Sequence, residues 1–196
     1  MTDYSQNREQ EIILNYFNNK TGTCLDIGAY DGKTFSNVRA LLEKGWNGVL
    51  IEADPENAHN CKRNTTELEV KVLCAAVHPS MDGITRFFSS GGDMVGTTET
   101  EHAAKWSKDV KFTEILAPLV SVKTVFDTFG DVFDFISVDV EGISFELGME
   151  IFERFKYAQM ICIEHDNKAD ELRVMALQNG FGKELFYNGE NIIFGK

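Results

Sequence analysis

Short apolar runs alternate along the chain with stretches whose hydrophobic residues recur at helical spacing. Residues 23–28, 48–52, 70–77, 133–139 and 160–164 are the apolar runs, each short enough for a buried strand. Between them, Phe35, Val38, Leu41 and Leu42 predict a helix that stops near Gly45, and Pro55 suits the first turn of a helix through Ala58 and Cys61. Ile143, Leu147, Ile151 and Phe155 repeat every four residues, which predicts a helix with one apolar face. Leu172, Met175 and Ala176 mark a last helix with Gly180 as its cap. The chain closes on a predicted hairpin, residues 184–187 and 191–194, turning at Asn188-Gly189. Continuous apolar strands alternating with helices predict an α/β fold: a doubly wound, mostly parallel sheet covered on both faces, with an antiparallel hairpin strand at its C-terminal edge. Ile12, Ile13, Tyr16 and Phe17 predict an extra helix over residues 5–19, an accessory segment (residues 1–20) lying on the sheet. Residues 89–118 break the alternation and read as an insertion, either a surface loop or a lid over a ligand.

Composition narrows this to one globular domain over residues 1–196. Hydrophobic residues make up 43 % and charged ones 26 %, with only three prolines, so neither a disordered nor a linker-rich chain fits. The net charge of −12 disfavours nucleic acid as a partner, because a polyanion needs a basic surface. No apolar stretch approaches bilayer length, so no membrane partner is expected. The first residues carry no basic region followed by an apolar run, and a cytoplasmic protein is expected. The four cysteines have no Cys-x-x-Cys pair; Cys24, Cys74 and Cys162 sit in apolar runs and are expected as reduced core residues. His59, His78 and His102 have no partners at ligand spacing and are expected at the surface.

In open parallel sheets ligands bind beyond the carboxyl ends of the strands, near the switch in strand order. The first strand delivers Asp26-Ile27-Gly28-Ala29-Tyr30-Asp31-Gly32 there, with Gly28 and Gly32 allowing a tight turn and close backbone approach. The second ends in Glu52, placed 20 residues after Gly32, where a carboxylate accepts hydrogen bonds from ribose hydroxyls. A dinucleotide would need Gly-x-Gly-x-x-Gly. The loop here is Asp-x-Gly-x-x-x-Gly, and its acid repels a pyrophosphate while suiting a nucleoside with an ammonium and a sulfonium, as S-adenosylmethionine is. Ala53 follows Glu52, and Ala75, ending the third strand, would pack near the adenine. The fourth strand ends in Asp139-Val140-Glu141-Gly142 and the fifth in Glu164-His165-Asp166-Asn167. Asp139, Glu141 and His165 are the candidate catalytic groups, and Asp139 is a candidate cofactor contact too. His165 could equally cap the following helix, and Glu141 could serve the dipole of its own. Asp139, Asp166 and Asn167 also offer hard oxygens of the kind Mg²⁺ accepts, so a divalent metal stays open.

Three blocks resemble the FkbM-type methyltransferases, with the similarity running from about Cys24 to Phe194. Residues 25–34 are similar to the family's Asp-x-Gly-Ala-Asn-x-Gly, residues 45–55 to its strand ending in Glu-Pro-x-Pro, and Ser137-Val138-Asp139-Val140-Glu141-Gly142 to its Asp-x-Glu-Gly. Ile163-Glu164-His165 is similar to its last strand, which ends in a glutamate. Tyr30 stands where asparagine is usual, Ala53 for proline, Ser137 for a frequent lysine and Ser144 for a frequent second acid. The resemblance implies a Rossmann-like class I methyltransferase fold and methyl transfer from S-adenosylmethionine, commonly to an oxygen of a sugar, glycan or secondary metabolite. A donor-binding scaffold without catalysis and a nucleotide-dependent oxidoreductase are the alternatives. A nucleic-acid methyltransferase is weaker, since the Asn/Asp-Pro-Pro-Tyr/Phe motif for a flipped base is absent from the sequence.

Overall fold

The computed structural model describes residues 2–196. Met1, the start of the expected accessory segment, lies outside the described residues. The first half of the chain runs α1 (Glu9–Phe17), β1 (Thr23–Ile27), α2 (Arg39–Leu42), β2 (Asn47–Glu52), α3 (Pro55–Asn64), β3 (Val70–Cys74), β4 (Ala76–His78) and β5 (Gly83–Ser89). The second half runs α4 (Thr100–Trp106), β6 (Thr113–Ser121), α5 (Val122–Phe129), β7 (Phe135–Val138), α6 (Ser144–Arg154), β8 (Met160–Glu164), α7 (Ala169–Gln178), β9 (Lys183–Tyr187) and β10 (Asn191–Gly195). Seven strands form one sheet in the order β3-β2-β1-β7-β8-β10-β9. Strands β3 to β8 of that order pair in parallel, and β10 is antiparallel to both β8 and β9. The order reverses between β1 and β7, so the crevice expected of a doubly wound sheet opens there.

Strand alternation divides the core. Leu25, Ile27, Ile51, Val138 and Ile163 face Val125, Leu147, Phe152 and Leu172 of α5, α6 and α7. On the other face Cys24, Leu50, Phe135, Cys162 and Ile193 lie under Ile13, Phe17, Leu41 and Leu42. Phe17 meets the Trp46 ring edge-on at 4.7 Å, which anchors α1 to the sheet. Helix α3 starts sharply because the Asp54 carboxylate accepts from the N–H groups of Glu56 and Asn57 and Pro55 occupies its first turn.

The structure departs from the expected pattern in four places. The helix expected from Phe35 is only Arg39–Leu42; Asp31 Oδ1 captures the N–H groups of Lys33 and Thr34 at 2.8 and 2.6 Å, so a side-chain turn replaces the first helical turns. Phe35 is instead exposed with φ at 54°. The expected strand over residues 70–77 splits at Ala75, whose N–H stays on the Glu52 carbonyl (3.0 Å) while β4 leaves for a second sheet, β4-β6-β5. That sheet and α5 fall in a region where periodicity was silent: β6 carries apolar residues on both faces and Pro118 in its middle. Lastly, Cys74 is exposed, whereas Cys24, Cys61 and Cys162 are buried free thiols. No helix among the described residues is long and apolar enough to cross a membrane.

Candidate functional site

A cavity of about 570 Å³ opens over the carboxyl ends of β1, β2, β7 and β8, within the usual size of small-molecule sites. Asp26, Gly28, Ala29, Tyr30, Glu52, Ala53, Ala75, Asp139, Glu141 and His165 all line it. Gly32 does not. Its φ is +70°, and a Cβ there would lie 2.8 Å from the Cys61 sulfur, so its role is to pack the turn against α3. Gly28 (φ +87°) is likewise constrained by protein: a Cβ would stand 1.6 Å from the Asp139 carbonyl oxygen. The two strand ends approach so closely that only glycine fits, a tighter restriction than ligand approach alone would set.

Main-chain ladders fix the floor. The N–H groups of Gly28 and Ala29 both donate to the Ile51 carbonyl, at 2.9 and 3.1 Å, which folds the loop over β2. Glu52 accepts from Tyr30 N at one oxygen and from Asp54 N at the other, both at 2.8 Å. Tyr30 takes the left-handed φ of 49° that asparagine tolerates more readily, and its hydroxyl donates to the Gly92 carbonyl at 3.0 Å. Asp26 sits beside Ser137 across the β1–β7 register, and Asn37 Nδ2 donates to the Ser137 hydroxyl at 3.3 Å. A serine therefore occupies a place where a lysine would neutralise the acid.

Burial raises the carboxyl groups. Asp26 is pushed up to about 7 by desolvation, which outweighs the opposing effect of the neighbouring Ser137 side chain. Glu52 also reaches about 7, burial outweighing its backbone donors. Glu164 reaches about 7 through burial and the neighbouring acids Glu141 and Asp166. Asp139 lies well above the usual carboxylate range, first from burial and then from Glu164 and Glu141. Among the described residues no lysine or arginine is ion-paired with any of these four. The donor set thus fits a cationic ligand and opposes a pyrophosphate.

Two candidates are already engaged. His165 Nδ1 accepts from Asn167 N, and Nε2, which then carries the proton, donates to the Asn188 carbonyl, both at 3.1 Å. This buried ring ties the β8 loop to the β9–β10 turn, and Lys168 N donates to the His165 carbonyl at 2.7 Å. Glu141, at φ 55°, meets His102 Nε2 at 2.8 Å. His102 is not the surface residue expected: it lines the cavity, and Trp106 Nε1 lies 3.0 Å from the same nitrogen. Sequence reasoning missed it because its partner is 39 positions away. It also left Glu164 out of the site, although the strand ending marked it. Ser144 Oγ donates to Glu164 at 2.9 Å and accepts from Val140 N at 2.9 Å, which holds that carboxyl in place. The Mg²⁺ alternative is not supported: Asp166 accepts from Phe145 N at 2.9 Å at the start of α6, and among the described residues no group of three or more His, Cys, Asp or Glu could hold a metal ion.

Several known proteins share this architecture. Methyltransferase FkbM from Methylobacillus flagellatus KT superposes with a TM-score of 0.55 at 12 % identity, covering 90 % of this chain and 44 % of that one. Monomeric WbdD gives 0.51 at 12 % identity, covering 96 % of this chain and 41 % of that one. This chain thus spans less than half of either relative, and at such identity the likeness is one of fold. A putative methyltransferase, yhhF from Escherichia coli, gives 0.49 at 12 % identity over 100 % of this chain and 88 % of that one. No curated protein matches the chain by sequence. The family model described as "Methyltransferase FkbM domain" matches residues 26–181, from the acid of the first loop to the end of the last helix. That match spans every strand end lining the cavity, and the chain belongs to the FkbM methyltransferase domain family.

Proposed function

We propose that the protein is an S-adenosylmethionine-dependent O-methyltransferase acting on a hydroxyl of a sugar, glycan or other small molecule. The observation that carries this reading is the cavity lined by Asp26, Glu52, Asp139 and Glu164, to which no basic side chain among the described residues is paired; a sulfonium nucleoside supplies the missing positive charge. When bound, the donor supplies an electrophilic methyl group on sulfur.

The chain's own residues then have separable tasks. Glu52 keeps lone pairs free beyond its two backbone bonds and holds the ribose hydroxyls. Ala53 and Ala75 leave room for a flat base, and the Gly28-Ala29-Tyr30 turn shapes the pocket for the amino-acid part. Asp26 orients that turn and faces the ammonium. Asp139 and Glu141 lie at the acceptor side, where a hydroxyl nucleophile needs its proton taken as it attacks. Glu141, paired with His102, is the base in this reading. His165, with both nitrogens on main chain, positions the wall and moves no proton.

Calorimetry of the full chain with S-adenosylmethionine, followed by incubation of labelled donor with a panel of hydroxylated acceptors, tests the proposal. Donor binding and label appearing as a methyl ether support it. Silence at millimolar donor, with heat on adding NAD, overturns it.

A further inference from the structure

Asp139 follows β7 and Glu164 ends β8, and the parallel register of those strands sets the two acids side by side. Both carboxyl groups line the same cavity, and burial together with the Glu164 carboxylate beside it holds the Asp139 carboxyl up. Two carboxylates at neighbouring strand ends repel each other, and one proton held by the pair removes that repulsion. The pair is held in place, because Ser144 is fixed between Val140 N and Glu164.

The groups facing the pair keep that proton there. Asp26 approaches from β1, Glu52 from β2, Glu141 from the end of β7, Asp166 from beyond β8 and Glu190 from the β9–β10 turn, all of them acids on the same cavity. The basic side chains are committed elsewhere: His102 Nε2 meets Glu141 at 2.8 Å, Lys168 pairs with Glu146 at 2.7 Å, and Lys105 lies over the Trp106 ring at 5.2 Å. His165 faces the pair with both nitrogens on backbone.

We propose that the Asp139–Glu164 pair distinguishes the charged methyl donor from its neutral product, holding one shared proton in the free protein, releasing it to solvent when the donor binds and regaining it with the product. The inference rests on S-adenosylmethionine being the donor. That molecule carries one more positive charge than S-adenosylhomocysteine, and a cation in a buried site favours the ionised form of a nearby acid. A ligand that binds the deprotonated pair better must bind more tightly as pH rises, and the product, lacking the charge, has no such gain. Burial and the surrounding acids place Glu164 at about 7, which brings the release within reach of neutral pH. Loss of the methyl group then weakens the ligand's hold on the pair, which favours release of product over donor.

Calorimetry of the full chain with S-adenosylmethionine and with S-adenosylhomocysteine, in phosphate and in Tris buffer from pH 6 to 8, reads this directly. The donor is expected to release about half to one proton more than the product, and its affinity to tighten about three- to tenfold per pH unit while the product changes less than twofold. Equal proton release for the two ligands, or donor affinity flat in pH, overturns the proposal while leaving the donor assignment standing. Heat from neither ligand overturns both. In Glu164→Gln an amide hydrogen replaces the shared proton, so the donor–product difference should vanish; a folded variant that keeps it removes the role from this pair. Asp139→Asn tests the same role from the other side should the first variant fail to fold.

Discussion

The floor of the cavity and its outer wall are built differently. At the floor, Asp26, Glu52, Asp139 and Glu164 extend from four neighbouring parallel strands whose main-chain ladders set their spacing. The wall, residues 89–112, contains one seven-residue helix and otherwise irregular chain. It is tied down by one main-chain bridge, Thr97 to Phe88, and otherwise by single side-chain bonds: Tyr30 to Gly92, Asn57 to Asp93, Thr97 to the Glu141 carbonyl and His102 to the Glu141 carboxylate. Ladders open together with the core, whereas isolated side-chain bonds open locally. The floor is therefore preorganised, and the wall can adjust.

Breaking the floor should have the largest effect. Gly28→Ala forces a methyl group into the Asp139 carbonyl at a positive φ, and the cost should reach about 3 kcal/mol or more, read as a lowered urea midpoint. A midpoint left in place would mean the floor yields as readily as the wall. Glu52→Ala leaves Tyr30 N and Asp54 N without acceptors, about 2 kcal/mol of stability, and should weaken S-adenosylmethionine and S-adenosylhomocysteine alike by at least about tenfold, since both carry the ribose.

The floor should also set the pH dependence. Asp26, Glu52 and Glu164 titrate at about 7 in the folded protein, against about 4 in the unfolded chain. The folded state therefore binds more protons across that window. Stability is fully present near pH 4 as far as these groups are concerned, is lost as pH rises through 7, and levels off above it. A thermal midpoint of the ligand-free protein falling by several degrees from pH 5 to 8 is the expected observation. A rising midpoint would mean the acids are paired with cations after all. The smallest effect belongs to the wall. His102→Ala removes a partly exposed side-chain contact with Glu141 and should shift stability by no more than about 1 kcal/mol. Proteolysis within residues 89–112 should nevertheless speed up, with S-adenosylhomocysteine affinity held within about twofold.

Legibility in the sequence followed the same division. The strands of the parallel layer announced themselves because both their faces are buried, so Ile51, Val138 and Ile163 stand in unbroken apolar runs. The acids were found because they end those runs. The three-stranded second sheet was not found, since its outer face leaves Ile84 and Leu116 73 % exposed and the apolar pattern no longer separates inside from outside. The shortened α2 was hidden by Asp31, whose side chain competes for N–H groups that a helix would use. Gly32 looked like a ligand contact and is a packing contact, because the loop motif fixes a turn without fixing what fills the space beside it.

Local periodicity and strand-end chemistry, both carried by residues near one another in the chain, determined the layered fold, the place of the cavity and its acidic character. Tertiary structure alone decided the pairings between distant positions: His102 with Glu141, Tyr30 with Gly92, and Asp139 with Glu164. Such pairings depend on how strands are ordered and how loops close, and the free energy that selects them is spread over the whole core rather than over the residues that meet.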